Sequence, residues 1–363
     1  MGRTSTDAAT RAHQRTLNPS VDRAIDELKT AIRRGAYDDA PPAVLAKRVA
    51  ETLIATVATA ASSATLEDIV QKVRAVGAEL ALVRREHLLV GNVTRRVLRV
   101  IRDEGTTSER GGASANAGGG ADGSQSKKLK QDVIDTAHEV MEEMMTVSTN
   151  IASQSGDFVT RGCVVMTMGT NAGAGTGLSE AFLRDANKRR DGDFSVVVAE
   201  CAPRYDGHAM AKTLAEKGIK DVSLISDSAV FATMPNVKLV VLSARGVLCD
   251  GSAFVDSGAY NIALAAKAHS VPVIVLVGSY SISPKNPETG GYGSMHRLAS
   301  PAAALSYADA GAPEAVVVNP AFEYIPPHMI DVFVTDHGSH CPGFIKLLLQ
   351  EMYSPHDYQL ASK

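Results

Sequence analysis

The chain has 363 residues, enough for about two domains at roughly 100–200 residues each. Hydrophobic residues make up 45% and charged residues 21%, which excludes a fully disordered chain, a collagen and a coiled-coil rod. A net charge of −3, no Trp and only 5% aromatics give no case for a direct nucleic-acid binder or a base-stacking platform.

The first third reads as helices. Val21, Ile25, Leu28 and Ile32 recur at helical spacing within residues 21–33. Pro41 and Pro42 suit the opening of a helix over 43–61, because proline is tolerated in a first turn. Ile69, Val73, Val76, Leu80 and Val83 mark a helix over 66–83. Val93, Val97, Leu98, Val100 and Ile101 mark another over 91–104, with Arg95, Arg96, Arg99 and Arg102 between them. Residues 1–104 are thus expected to form a small helical domain. Residues 105–127 are rich in Gly, Ser and Ala with almost no apolar bulk, the composition of a flexible insert. Val133, Ala137, Val140 and Met144 then share one face of a connecting helix over 128–155.

From residue 156 the period changes. Apolar runs at 163–168, 194–199, 222–225, 238–242, 271–277, 315–318 and 332–334 alternate with helical stretches at 177–190, 207–217, 227–234 and 260–269. An amphipathic helix over 342–353 follows. The alternation predicts an α/β C-terminal domain over 156–363, Rossmann-like, with a mostly parallel sheet and flanking helices. Cys163, Cys201, Cys249 and Cys341 form no CxxC pair and are expected as reduced, buried thiols of a cytosolic protein. Residues 1–20 lack the apolar core of a secretory signal, and no apolar run reaches the roughly 18 residues of a membrane helix.

Four clusters invite a chemical reading. The loop Gly169-Thr170-Asn171-Ala172-Gly173 through Gly177 follows the first strand and could present backbone N–H groups to a phosphate. It has neither a Walker lysine nor GxGxxG spacing, and turn glycines explain it equally well. Glu200, Arg204, Asp206 and His208 follow the second strand, where an open parallel sheet binds ligands, although a charged loop with a glycine hinge also accounts for them. Asp336, His337, Ser339, His340 and Cys341 resemble a metal or triad cluster, yet lie too close in sequence to converge, so a surface loop and no metal are expected. The Arg95/Arg96/Arg99/Arg102 stripe reads as a solvated helix face, with an acidic partner as the alternative.

Longer segments carry a family resemblance. VVVAECAPRYDGHAMAKTLAEKGI (196–219), SDSAVFATMPNVKLVVLSARGVLCDGSAF (226–254) and SGAYNIALAAKAHSVPVIVL (257–276) resemble the regulatory subunits of eukaryotic translation initiation factor 2B. GNVTRRVLRVIRDE (91–104), FEYIPPHMI (322–330) and CPGFIKLLLQEMYSPHDY (341–358) resemble its beta-type members in particular. The same fold family includes sugar-phosphate isomerases such as methylthioribose-1-phosphate isomerase. Their catalytic Cys falls on Thr170, and a hydroxyl does not replace an accessible thiolate. Their catalytic Asp falls on Arg245, a permanent cation. Their phosphate-binding Arg falls on Ala202 and their Lys on Asp256, and their N-terminal Arg-Gly-Ala-Pro-Ala-Ile motif has no counterpart. The resemblance therefore implies a dead isomerase site, with a vestigial pocket of Gly169, Thr170, Asn171, Glu200, Arg204 and Arg245.

What it further implies is a non-catalytic regulatory subunit without a cofactor. Such a subunit pairs with delta through C-terminal domains, within a decamer that also holds alpha, gamma and epsilon. The complex exchanges guanine nucleotide on initiation factor two, and the epsilon subunit carries the activity. The segment 131–146, including Asp132, His138 and Glu139, corresponds to the family's face toward the alpha subunit of factor two. A plain charged helix edge remains open there. A sugar-phosphate isomerase and a phosphate-ligand sensor of the same fold stay as the alternatives, and neither nucleic acid nor a membrane is expected as a partner.

Overall fold

The computed structural model describes residues 19–38, 40, 42–61, 64–112, 122–169, 177–287, 297–308 and 316–360, with side chains at 105–112, 122–130, 133 and 140 left aside. Helices α1 (Pro19–Arg33), α2 (Pro42–Ala58), α3 (Leu66–Val83), α4 (Leu88–Gly112) and α5 (Asp122–Ser153) open the chain. All four apolar positions of the first pattern, Val21, Ile25, Leu28 and Ile32, are buried. Thr65 starts α3 with a reciprocal capping box: its Oγ1 accepts from Asp68 N and its own N–H donates to Asp68 Oδ2. A Cβ on Gly77 would lie 2.0 Å from Thr94 Cγ2, so α3 and α4 approach at a distance that excludes a larger residue.

Two expectations change here. Helices α4 and α5 extend into the stretch predicted as a flexible insert, leaving only 113–121 outside the described residues. Helix elongation adds one hydrogen bond per residue fixed, so an anchored helix can run on through residues of poor propensity. The arginine stripe is also not solvated throughout: Arg96 and Arg99 stay part-exposed, whereas Arg95 and Arg102 turn to the C-terminal segment. Arg95 is 3% exposed, and its guanidinium donates to the backbone carbonyls of Asp357 (3.1 Å) and Tyr358 (3.0 Å). Burial pulls its pKa down to about 10, which still leaves it charged near neutral pH.

The C-terminal domain carries β1 (Cys163–Met168), β2 (Phe194–Ala199), β3 (Asp221–Ile225), β4 (Leu239–Ser243), β5 (Gly246–Val247), β6 (Ala253–Asp256), β7 (Val273–Leu276), β8 (Phe322–Ile325), β9 (Val332–Thr335) and β10 (Gly338–His340). Its main helices are α6 (Leu178–Arg190), α7 (Asp206–Glu216), α8 (Ala259–Ala268) and α9 (Ile345–Met352). Seven strands form one sheet in the order β10-β9-β7-β4-β1-β2-β3, parallel except for β10. This is the doubly wound arrangement, in which strand order reverses between β1 and β4. A small antiparallel sheet, β5-β6-β8, sits beside it.

The sheet is buried on both faces. Val165, Val196, Val198 and Val241 join a core with Met144 and Ile151 of α5 and with the N-terminal helices. Met166, Val197, Val240 and Leu242 point into a second core with α8 and α9. Alternate residues of each strand thus serve opposite layers. The predicted strand at 315–318 is replaced: 316–318 lies outside any named strand and β8 forms downstream. Residues 227–234 form one-turn pieces rather than one helix, with Pro235 stopping the pattern. The cysteines are free, but Cys341 is exposed and Cys201 and Cys249 are half-buried, so only Cys163 fits the buried expectation.

The chain's C-terminal segment closes onto the N-terminal helices. The Asp357 side chain is fully buried between Arg74 of α3 and Arg102 of α4, accepting from Arg102 Nε at 3.0 Å and from Arg74 Nη2. Burial alone would raise the Asp357 pKa; the Arg102 and Arg74 hydrogen bonds outweigh it and hold the group below the ordinary carboxylate range. A carboxylate depressed in the folded state contributes stability above its unfolded pKa of about 4 and loses it as pH falls through the lower folded value. Asp357→Asn should therefore cost about 3 kcal/mol at pH 7 in urea unfolding, with the gap to wild type closing in acid. A loss that does not vary with pH would assign the effect to packing rather than charge.

Candidate functional site

The carboxyl ends of β1, β2 and β4 face a cleft, where the fold predicts a ligand site. Gly169, Arg204 and Asp256 line its inner part with Cys201, Ser257 and Asn319. Arg204 and Arg245 also line an adjoining recess toward the helical domain, which contributes Asp38, Arg84 and His87. The structure thus gathers Gly169, Arg204 and Arg245. Thr170 and Asn171 lie outside the described residues. Glu200 lies at the edge: its backbone N–H donates to Ile225 O at 2.9 Å, and its carboxylate stands 3.8 Å from His208 Nε2.

Two glycines make this geometry possible. A Cβ on Gly169 would fall 2.3 Å from the backbone of Asp206 and Gly207, and one on Gly207 would fall 2.0 Å from Ala199 O. The start of α7 therefore presses directly on the ends of β1 and β2. The intervening turn is held by Asp227, whose carboxylate accepts from the N–H groups of Cys201 (3.0 Å) and Ala202 (2.7 Å). Burial pushes the Cys201 thiol up to about 12, so it is a neutral thiol near neutral pH. At the turn of strand order, Ser243 Oγ lies 2.6 Å from Ser179 Oγ and accepts from Ser179 N at 3.2 Å, which ties β4 to the first turn of α6.

The charges in the cleft are mutually satisfied. Arg245 Nε lies 2.6 Å from Asp256 Oδ1, with the guanidinium 4.9 Å from the centre of the Phe322 ring. Arg204 is held by Asp206, with Nε 2.7 Å from Oδ2. Asp38 meets Arg84 (2.6 Å), Arg297 (3.3 Å) and His87 (3.4 Å). Burial and the neighbouring Arg84 lower the His87 pKa. Glu323 Oε1 accepts from Gly258 N (2.8 Å) and Tyr260 N (2.6 Å), fixing the start of α8, and burial raises its pKa. The residues that sequence reasoning misses here are Asp38, Arg84, His87, Asp227, Arg297 and Glu323; no motif or spacing connects positions this far apart.

The histidine cluster does not converge. Asp336 is occupied by Ser279, accepting from its N–H at 2.7 Å and its hydroxyl at 2.8 Å. His340 stacks on Phe344, and Ser339 donates to Gln154. Among the described residues, no group of three or more His, Cys, Asp or Glu is placed to hold a metal ion. Asp132 is half-buried and His138 and Glu139 are exposed on α5, away from the cleft residues. No helix among the described residues is long and apolar enough to cross a membrane.

By the sequence resemblance, Arg245 and Asp256 fall where the isomerases are expected to carry Asp and Lys, the opposite charges. Inverting the pair makes a test. Arg245→Asp alone sets two carboxylates together and should cost about 2 kcal/mol, whereas Arg245→Asp with Asp256→Lys should recover most of that. A coupling energy below about 0.5 kcal/mol in the four-variant unfolding cycle would dismiss the pair as an energetic unit.

Known proteins align with this chain along most of its length. A family model described as the Initiation factor 2 subunit family matches residues 41–342. The chain is 33% identical to translation initiation factor eIF2B subunit beta of Dictyostelium discoideum over 63% of its own length and 57% of that relative, so it spans little more than half of that protein. It is 29% identical to the protein of that name from Schizosaccharomyces pombe, covering 93% of this chain and 97% of the relative. It is 28% identical to ribose 1,5-bisphosphate isomerase of Haloferax volcanii, covering 93% and 94%. In three dimensions it resembles eIF2B beta from Chaetomium thermophilum with a TM-score of 0.71 at 23% identity, over 93% of this chain and 94% of that one. It also resembles a chain of the tetrameric eIF2B-beta2-delta2 complex of that organism, with a TM-score of 0.69 at 23% identity over 97% and 100%. At that identity the two structures establish a shared fold. With the family model covering most of the chain and the doubly wound domain in place, the chain belongs to the Initiation factor 2 subunit family.

Proposed function

We propose that the chain is a non-catalytic, beta-type regulatory subunit of the guanine nucleotide exchange factor for translation initiation factor two. One observation carries the reading: the position that matches the isomerases' catalytic carboxylate holds Arg245, whose charge is taken up by Asp256. A permanent cation locked in an ion pair has no proton to exchange near neutral pH. The sugar-phosphate isomerase reading fails on that chemistry, even though an isomerase is among the relatives.

The beta-type relatives support the subunit assignment, and the likeness to a chain of a beta2-delta2 tetramer supports pairing with a delta subunit through the C-terminal domains. In this reading the alpha, gamma and epsilon subunits complete a decamer in the cytosol. The chain supplies scaffold and regulatory contacts, and exchange catalysis resides in epsilon. The vestigial pocket around Gly169, Thr170, Asn171, Glu200, Arg204 and Arg245 has no turnover role. The edge of α5 with half-buried Asp132 and exposed His138 and Glu139 faces the alpha subunit of factor two, its acidic groups favouring a basic partner surface.

Mild affinity purification of the tagged chain from its own cytosol, followed by native mass measurement, should recover delta, gamma and epsilon with it. A lone homodimer, or turnover of a sugar phosphate by the purified chain, would overturn the reading. Within the assembled complex, Glu139→Lys should weaken factor-two binding about fivefold, as expected for one exposed charge contact, without splitting the beta–delta pair. Unchanged affinity would remove α5 from that interface.

A further inference from the structure

The inner part of the cleft and the adjoining recess share one cover. Ala299 and Ala304 of the piece at 297–308 line the inner part, and Arg297 and Ala299 line the recess. The piece is tied to residues 319–321. Ala299 N donates to Asn319 O at 2.7 Å, Ala321 N donates to Arg297 O at 2.9 Å, and Asn319 Nδ2 donates to Ser300 O at 2.9 Å. At its start it also reaches the helical domain, where Arg297 Nη1 lies 3.3 Å from Asp38 Oδ2. The piece is thus a strap across the cleft mouth, and that ion pair joins it to the turn after α1.

Asp38 is shared. Its Oδ1 lies 2.6 Å from Arg84 Nη1 and 3.4 Å from His87 Nε2. The charged and titratable groups of the recess come from several parts of the chain. Tyr37 and Asp38 follow α1, Arg84, Glu86 and His87 precede α4, Arg204 precedes α7, Arg245 follows β4, and Arg297 opens the strap. Arg204 and Arg245 are taken up by Asp206 and Asp256. Among the described residues, that leaves Arg84 and Arg297 facing Asp38 and Glu86, two charges of each sign. A neutral His87 keeps this balance. A protonated His87 adds a positive charge that no carboxylate is left to offset, and a recess shielded from water screens it poorly. The two cations do not respond equally. Arg84 is 10% exposed and donates also to Glu86 at 2.9 Å and to Ile32 O at 3.3 Å. Arg297 is 47% exposed, and Asp38 is its ion-pair partner. Arg297 is therefore the cation that gives way.

We propose that the Arg297–Asp38 pair latches the strap over the cleft and that protonation of His87 releases it. The imidazolium competes for Asp38 from inside the recess and repels the Arg297 guanidinium. The strap is then left on its hydrogen bonds to 319–321, an exposed two-stranded contact that frays when nothing else holds it. Linkage gives the same sign. Burial first, and Arg84 second, lower the His87 pKa in the latched state. A base whose pKa is lowered in one state opposes that state once protonated. The latch therefore holds at and above neutral pH and weakens as pH falls below the ordinary histidine value of about 6.5. The latch belongs to this chain alone and does not depend on which subunits surround it.

The test is hydrogen–deuterium exchange of the full chain, read by mass spectrometry and corrected for the intrinsic effect of pH on exchange. Between about pH 7.5 and about pH 5, protection of the peptide containing Ala299 should fall about threefold, the scale of one part-exposed ion pair, while peptides of β1 stay unchanged. That window lies above the ordinary carboxylate values of about 4, so the Asp357 clasp stays charged across it. His87→Gln is neutral at every pH and should keep the strap protected throughout. Arg297→Gln removes the latch at its exposed end, so protection should be low already at neutral pH and should not vary with pH. This second variant carries the test where His87→Gln does not fold. Constant strap protection in the wild-type chain overturns the proposal, as does a His87→Gln chain that loses protection like wild type or an Arg297→Gln chain that keeps the wild-type pH dependence. An equal loss in β1 overturns it too, because the pH effect would then be a general loosening of the fold.

Discussion

One face of the seven-stranded sheet shares its core with the N-terminal helices, and the site geometry follows from that. Val165, Val196 and Val241 pack in the same core as Met144 and Ile151 of α5 and as the apolar stripes of α1 to α4. Helix α6 adds Phe182, Leu183 and Ala186 to that face. The two parts of the chain therefore meet through continuous apolar packing, which is intolerant of slippage at the scale of a methylene. The C-terminal segment adds a polar clasp, with Asp357 between Arg74 and Arg102 and Arg95 on the following carbonyls. Fixed domain geometry is what brings residues 38, 84 and 87 to the mouth of a cleft whose floor is residues 169 and 201–206.

Within that cleft the decisive property is charge pairing. An acid–base site needs at least one group poised to gain or lose a proton near neutral pH. Here Arg245 faces Asp256, Arg204 faces Asp206, and Asp38 collects Arg84, His87 and Arg297. Cys201, the one thiol lining the inner cleft among the described residues, is driven away from ionisation by burial and by Asp227. Ion pairs of this kind orient elements more than they stabilise them, because desolvation offsets much of the Coulomb gain.

How much of this was legible in the sequence depends on the range of the interactions. Helix faces such as Val21/Ile25/Leu28/Ile32 and the parallel strands are local patterns, and both appear where periodicity places them. Arg245 and Asp256 were singled out in the sequence because their segments resemble those of the isomerases, and the fold pairs their charges. The strands β5, β6 and β8 were not legible, since they form an antiparallel sheet of their own, outside the strand–helix alternation that locates the parallel strands. The arginine stripe was misread for a different reason. Its partner lies more than 250 positions downstream, so Arg95 and Arg102 look like solvated side chains until the fold brings Asp357 to them. The partner-facing roles proposed for Asp132, His138 and Glu139 rest on resemblance alone; by burial, His138 and Glu139 are exposed and Asp132 is half-buried.

The cleft wall at 318–321 and strand β8 are parts of one continuous piece of chain. Residues 316–321 run straight into β8, whose first residue, Phe322, lies under the Arg245 guanidinium and whose second, Glu323, holds the start of α8. One short strand thus fixes both the ring beneath Arg245 and the start of α8, so the charge pairing in the cleft and the placement of α8 depend on adjacent residues of β8.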